Sequence, residues 1–117
     1  MGVVVLCKNL SIHLSYTEFN FIKNYLLLLC IEYVKKNNTE NDIEDRYLTD
    51  YKGLFIQNNI FGIPLLFEKN VFDFKESKQI INDVLIVNAN NTLPNNVTNF
   101  CNLFLFSSAS NSNISIK

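Results

Sequence analysis

The sequence predicts an α/β domain, and three observations carry that prediction. The chain opens on a β-branched apolar run, Gly2–Cys7, with the composition of a central strand buried on both faces. A helix with a fully specified start follows at Ser15–Glu18. Residues 61–83, FGIPLLFEKNVFDFKESKQIIND, then read as strand, tight corner, strand and helix. The expected order is βαβ-ββα, a sheet with helices packed on it.

Each element has a local reason. Ser15, with Glu18 three residues on, forms a capping box, and Leu14 and Phe19 occupy the two positions of a hydrophobic staple. Phe19, Ile22, Leu26, Leu29 and Tyr33 recur at helical spacing and should face the sheet. Lys35 and Lys36 fall in the last turn, where positive charge suits the helix dipole. Burying each of the apolar side chains is worth about 1.5–3 kcal/mol, which makes this helix a principal support. Asn37–Asp50 is polar and acidic and reads as an exposed connection, with a poor second helix near Ile43–Tyr47. Leu54–Gln57 is the candidate for a strand between the first helix and the second half.

Proline has no amide to donate, so Ile63–Pro64 suits the first residues of a strand. Lys69–Asn70 is the corner, Val71–Phe74 the return strand, and Glu76–Ser77 the start of a helix running through Val87. Ile80, Ile81, Val84 and Leu85 should lie on its inner side. Strand, hairpin, strand and helix in this order form the second half of a thioredoxin-like domain. Asn88–Asn96 is a turn-rich linker. Val97–Phe106 is apolar, and Ser107–Lys117 is a polar end expected to fray. The expected organisation is therefore residues 1–87 as the thioredoxin-like unit, 88–96 as linker, and 97–117 as the start of an incomplete helical domain with a polar tail.

Ile63–Pro64–Leu65–Leu66 and Glu76–Ser77–Lys78–Gln79–Ile80 resemble the N-terminal domain of glutathione S-transferases and of transferase-like modules attached to translation proteins. In that family the proline is cis, the peptide before it meets the cysteinyl part of glutathione, and Glu-Ser binds the γ-glutamyl end. The resemblance thus implies Ile63, Pro64, Glu76 and Ser77 as a glutathione site. Phe104–Ala109 is similar to the opening helix of the second domain in translation-associated members, and Phe21–Asn37 is similar in tone to the first helix of fungal methionyl-tRNA synthetase appendages.

Catalytic members activate the thiol with a Tyr, Ser or Cys between the first strand and first helix, which makes Cys7, Ser11, Ser15 and Tyr16 candidates, Ser15 and Tyr16 foremost. The capping box already accounts for Ser15, and packing at the helix start accounts for Tyr16. Glu76 and Ser77 also have a plain reading as ordinary helix-start residues. His13, the single histidine, sits in an expected loop without a carboxylate or nucleophile at meaningful spacing.

Composition narrows the classes. The chain has 117 residues, ten Phe and five Tyr, enough to fill one core. A net charge of −1 with no basic block points away from nucleic acid. Cys7, Cys30 and Cys101 are scattered among apolar neighbours, fitting reduced buried thiols and not a disulfide frame or a metal site. The acidic run from Glu40 to Asp50 lacks the ligand spacing of a Ca²⁺ or Mg²⁺ loop. The apolar run Tyr25–Val34 is too short for a membrane span, and MGVVVLCKNL lacks the charge order of a secretory signal, so the expected compartment is the cytoplasm.

Two functional classes follow. The first is a non-catalytic, glutathione-transferase-like interaction module of the translation machinery, with no cofactor, pairing with similar domains as a homo- or heterodimer. The second is a glutathione S-transferase, whole or in part, conjugating glutathione to electrophiles through Ser15 or Tyr16. A small α/β domain of unrelated function is the third alternative.

Overall fold

In the computed structural model, residues 2–37, 51–89 and 92–117 are described, with Tyr51 and Lys52 known by backbone alone. The expected helix at Ile43–Tyr47 lies outside them. The chain is α/β: a four-stranded, wholly antiparallel sheet in the order β2-β1-β4-β3, with helices on one face. Strand β1 is Gly2–Cys7 and β2 is Leu10–Ser15. They are joined by a two-residue turn that pairs Cys7 with Leu10. Lys8 adopts the left-handed conformation (φ 54°) that such a turn demands.

Strand β2 replaces the loop expected over residues 8–13. Leu10, Ile12 and Leu14 alternate with Ser11, His13 and Ser15, and that period of two is the signature of a half-buried strand. Because β1 turns directly into an antiparallel neighbour, the expected opening βαβ unit is absent. Both neighbours of β1, β2 and β4, run antiparallel to it.

Helix α1, Tyr16–Asn37, begins where the capping box requires. The Glu18 amide donates to Ser15 Oγ at 3.1 Å, and the Ser15 amide donates to Glu18 Oε1 at 3.3 Å. Phe19, Ile22, Leu26 and Leu29 are buried as the spacing predicts, Tyr33 is half-buried, and Cys30, Ile31 and Val34 join the buried set.

The second half departs from the expected hairpin. Leu54–Gln57 lies in a helix, α2 (Tyr51–Gln57), and not in a strand. Ile63–Phe67 forms a 3-10 helix with Pro64 in its first turn, and the Ile63–Pro64 peptide is trans. Proline suits the start of a helix as well as the start of a strand, since either place spares its missing amide. Strand β3 is only Val71–Phe72, and its partner is β4. Helix α3, Phe74–Val87, starts three residues before the expected Ser77. Asp73 caps it, accepting from the Glu76 amide at 2.8 Å, while the Asp73 amide donates to Glu76 Oε1 at 3.0 Å. The Asp73–Glu76 box therefore outranks Ser77 as the start signal.

Helix α4, Asn95–Ser110, begins in the expected linker and runs into the first residues of the expected polar tail. Asn111, at φ 52°, ends it in the left-handed conformation that asparagine tolerates. Strand β4, Ile114–Ile116, then inserts between β1 and β3. Residues 97–117 thus complete the sheet that residues 2–7 begin. Ile114 and Ile116 are buried where fraying was expected.

The core lies between the sheet and the helices. Val3, Val5, Cys7, Phe72, Ile114 and Ile116 point inward, and Phe19, Phe100, Phe104 and Phe72 form a continuous aromatic run. Successive ring centroids are 6.2, 4.9 and 5.5 Å apart, the last pair edge to face. The opposite face carries Val4, Leu6, Ser11, His13, Val71 and Ser115, half-buried or exposed.

Ile114→Ala tests the role of β4 in the core. Truncating this fully buried side chain should cost about 2–5 kcal/mol in urea unfolding, whereas loss from a frayed tail would leave the midpoint unchanged.

Candidate functional site

Residues expected to hold glutathione are committed to internal bonds. The Ile63 amide donates to Asp83 Oδ2 at 2.8 Å, so it is turned into the protein. The amides of Glu76 and Ser77 go to Asp73 Oδ1 and to the Asp73 carbonyl, at 2.8 and 2.9 Å, which leaves neither for a ligand carboxylate. The Glu76 carboxylate also meets Lys69 Nζ at 2.5 Å. Both side chains of that pair keep solvent contact, so it contributes little to stability.

Ser77 is fully buried and belongs to a hydroxyl chain. Ser107 Oγ donates its single proton to the Ser112 carbonyl at 2.5 Å, so Ser77 Oγ must be the donor in the 2.8 Å bond between Ser77 and Ser107. Burial pushes the nearby Cys7 thiol up, and the Ser107 hydroxyl opposes the shift. The chain ties α3, α4 and the turn before β4 at one buried point.

Ser15 and Tyr16 sit at the junction of β2 and α1. Ser15 is occupied by its cap, and Tyr16 is exposed. Pro64 lines an open apolar hollow of about 200 Å³ with Phe55, Ile56, Ile60, Phe61, Leu65 and Glu68, while Ser15 lines a different hollow at the end of β1 and β2. Glu76 and Ser77 line neither. His13 is exposed on the outer sheet face.

The densest polar arrangement lies elsewhere, at Asp83. This carboxylate is fully buried on the inner face of α3. Its Oδ2 accepts from the amides of Gly62 (2.5 Å) and Ile63 (2.8 Å), and its Oδ1 accepts from Gln79 Nε2 (3.1 Å). The approach requires a glycine: a Cβ at residue 62 would lie 2.4 Å from the Ile80 nitrogen and 2.6 Å from the Gln79 carbonyl carbon, backbone atoms that cannot yield. Burial lifts the Asp83 carboxyl above the ordinary carboxylate range, against the opposing pull of the Ile63, Gln79 and Gly62 donors. Cys30 feels this charge. Burial first, then Asp83, pushes its thiol up to about 12, and burial alone takes Cys101 to about 11. Neither thiol is poised as a nucleophile at neutral pH.

Sequence reasoning passed over Asp83, although its signal is present. With Ile80, Val84 and Val87 it occupies the apolar stripe of α3, and a carboxylate in that register needs donors from a neighbouring element. Among the described residues there is no group of three or more His, Cys, Asp or Glu placed to hold a metal ion, and no helix is long and apolar enough to cross a membrane. No protein-family model, curated protein or solved structure matches the chain.

The Asp83 arrangement predicts a pH signature. A raised native pKa means the folded chain holds this proton to higher pH than the unfolded chain does. The stability it confers is complete below about pH 4, the unfolded value, and declines as pH rises through the native pKa. Asp83→Asn keeps an oxygen for the two amides and needs only a rotation of the Gln79 amide. Its stability relative to wild type should therefore increase as pH rises from 4. Asp83→Ala strands two buried amides and should cost about 3 kcal/mol. Urea unfolding across pH checks both.

Proposed function

We propose that this domain is a non-catalytic protein-interaction module. The observation that supports the reading most directly is the uncovered outer face of the sheet. Val4 and Leu6 are half-buried there, Val71 is 54% exposed, and no described helix packs across them. A sheet layered on one face only leaves a flat surface suited to another protein, and apolar side chains grouped on it are the usual sign of such a role. The internal commitment of Ile63, Glu76 and Ser77 removes the support that a glutathione-conjugating reading would draw from them.

The Ile-Pro and Glu-Ser phrases place glutathione-transferase-like domains of translation proteins first among the partners to try, although the thioredoxin-like strand order those phrases imply differs from the order β2-β1-β4-β3. The test is calorimetric titration with purified transferase-like domains from a methionyl-tRNA synthetase and from an elongation factor gamma subunit. Saturable binding that Val71→Lys and Leu6→Lys each weaken about tenfold or more supports the module. Retention on immobilised glutathione that Ser77→Ala abolishes, together with turnover lost in Tyr16→Phe, would establish the transferase reading instead.

A further inference from the structure

Strand β2 ends the sheet, and among the described residues nothing pairs with its outer edge. Its backbone polarity is fixed by the far side of β1. Val4 exchanges both its amide and its carbonyl with Lys117, at 3.4 and 2.9 Å, so Val4 is turned toward β4. In an antiparallel ladder the alternate residues turn the other way, and Val3, Val5 and Cys7 are therefore the ones bonded to Leu14, Ile12 and Leu10. Ser11, His13 and Ser15 are left directing their backbone groups outward, with the Ser15 amide already held by Glu18. The strand carries no lysine, glutamate or proline, the residues that commonly guard an open edge.

We propose that a second copy of this chain covers this edge, its β2 antiparallel to the first about a two-fold axis through His13. Outward-facing residues must oppose outward-facing residues, which allows only registers that pair the set Ser11, His13 and Ser15 with itself. Centring on His13 pairs the two His13 residues with each other and sets Ser11 opposite the partner's Ser15, whose amide stays with its own cap. The same register sets Leu10 (42% exposed) opposite the partner's Tyr16 (54% exposed) on the inner side of the seam. It sets half-buried Ile12 opposite the partner's Leu14. The hairpin turn, which carries Lys8, then lies at the end of the seam where the partner's α1 begins with Glu18 in its first turn, opposite charges that the two-fold repeats.

A hollow of about 270 Å³ lies on that inner side, lined by Leu10, Ser11, Ile12, Asn99, Asn102 and Leu103. It receives the ring of the partner's Tyr16, with Asn99 and Asn102 offering amides to the phenol hydroxyl. Backbone pairing, apolar contact and charge agree on one arrangement. It joins two sheets of four strands into one and sets the outer faces side by side. The edge is a separate surface from the outer face, so the proposal stands whether or not that face takes a partner.

Sedimentation equilibrium over a broad concentration range tests it. The chain should associate reversibly to twice its 13.5 kDa mass. His13→Pro removes an outward amide while leaving the β1 ladder intact, and should weaken association about tenfold or more, because the two-fold loses two hydrogen bonds at once. Lys8→Glu, which leaves the strand unaltered, should also weaken it and serves if the proline variant misfolds. Amide exchange at Ser11 and His13 should slow as concentration rises. A monomer at every concentration overturns the proposal. So does a dimer that neither variant affects, or one that Val71→Lys on the outer face dissociates in their place.

Discussion

A carboxylate with no route to water must be satisfied by the protein, and the bonds of Asp83 join two parts of the chain that share no ladder. The segment before the 3-10 helix would otherwise carry two buried amides without acceptors. Asp83 supplies one oxygen to both. Gly62 lets that segment reach within backbone contact of α3, and Ile63, fully buried, seats the 3-10 helix against the core. Once that segment is fixed, Lys23 on α1 lies 4.5 Å from the Phe19 ring centroid and 5.1 Å from that of Phe67, which ties the first helix to the same point. The arrangement carries a desolvation cost, offset by three donors. Remove the acceptor and the polar groups around it are stranded together.

The hydroxyl chain from Ser77 through Ser107 to the Ser112 carbonyl performs a related task between α3 and α4. Small side chains with one proton each can be arranged in only one donor order when a carbonyl takes the last proton. That order fixes how α4 leaves its final turn and how the chain enters β4. Polar residues that read as a solvated tail thus specify the position of a central strand.

Local signals in the sequence were reliable where a few neighbouring residues settle the outcome. The Ser15–Glu18 box, the buried stripe of α1 and most of α3 follow from spacing, and the β-branched composition of Gly2–Cys7 marks a strand; that strand buries one face and not the expected two, and Leu85, expected inside, is 69% exposed. What failed was decided by distant partners. Ile63–Phe67 is apolar and begins with proline, a pattern that serves a strand or a 3-10 turn equally; the amide acceptor at Asp83, twenty residues on, favours the turn. Ile114–Ile116 is short and set among Ser and Asn, so nothing local marks it as central, and only the open edge of β1 makes it so. Strand β2 is legible in the alternation of Leu10, Ile12 and Leu14 with Ser11, His13 and Ser15, a period that the expected loop would not require. The transferase-like phrases are ones expected around a hairpin, and here Ile63–Pro64 open a 3-10 helix while Glu76–Ser77 lie in the first turn of α3.

The place of β4 sets the order in which the molecule can assemble. Val5 pairs with Ile116, close to the full length of the chain away, while the β1–β2 turn and the helices close over short spans. Contacts of such long sequence separation are reached late, because the entropy of closing the intervening loop is lost before any pairing compensates. On a ribosome the hairpin and α1 would emerge before β4 and wait, with the edge of β1 to which Val4 turns its backbone groups open until residues 114–116 arrived. The interval leaves one edge of an apolar strand unpaired, the kind of surface that chaperones cover.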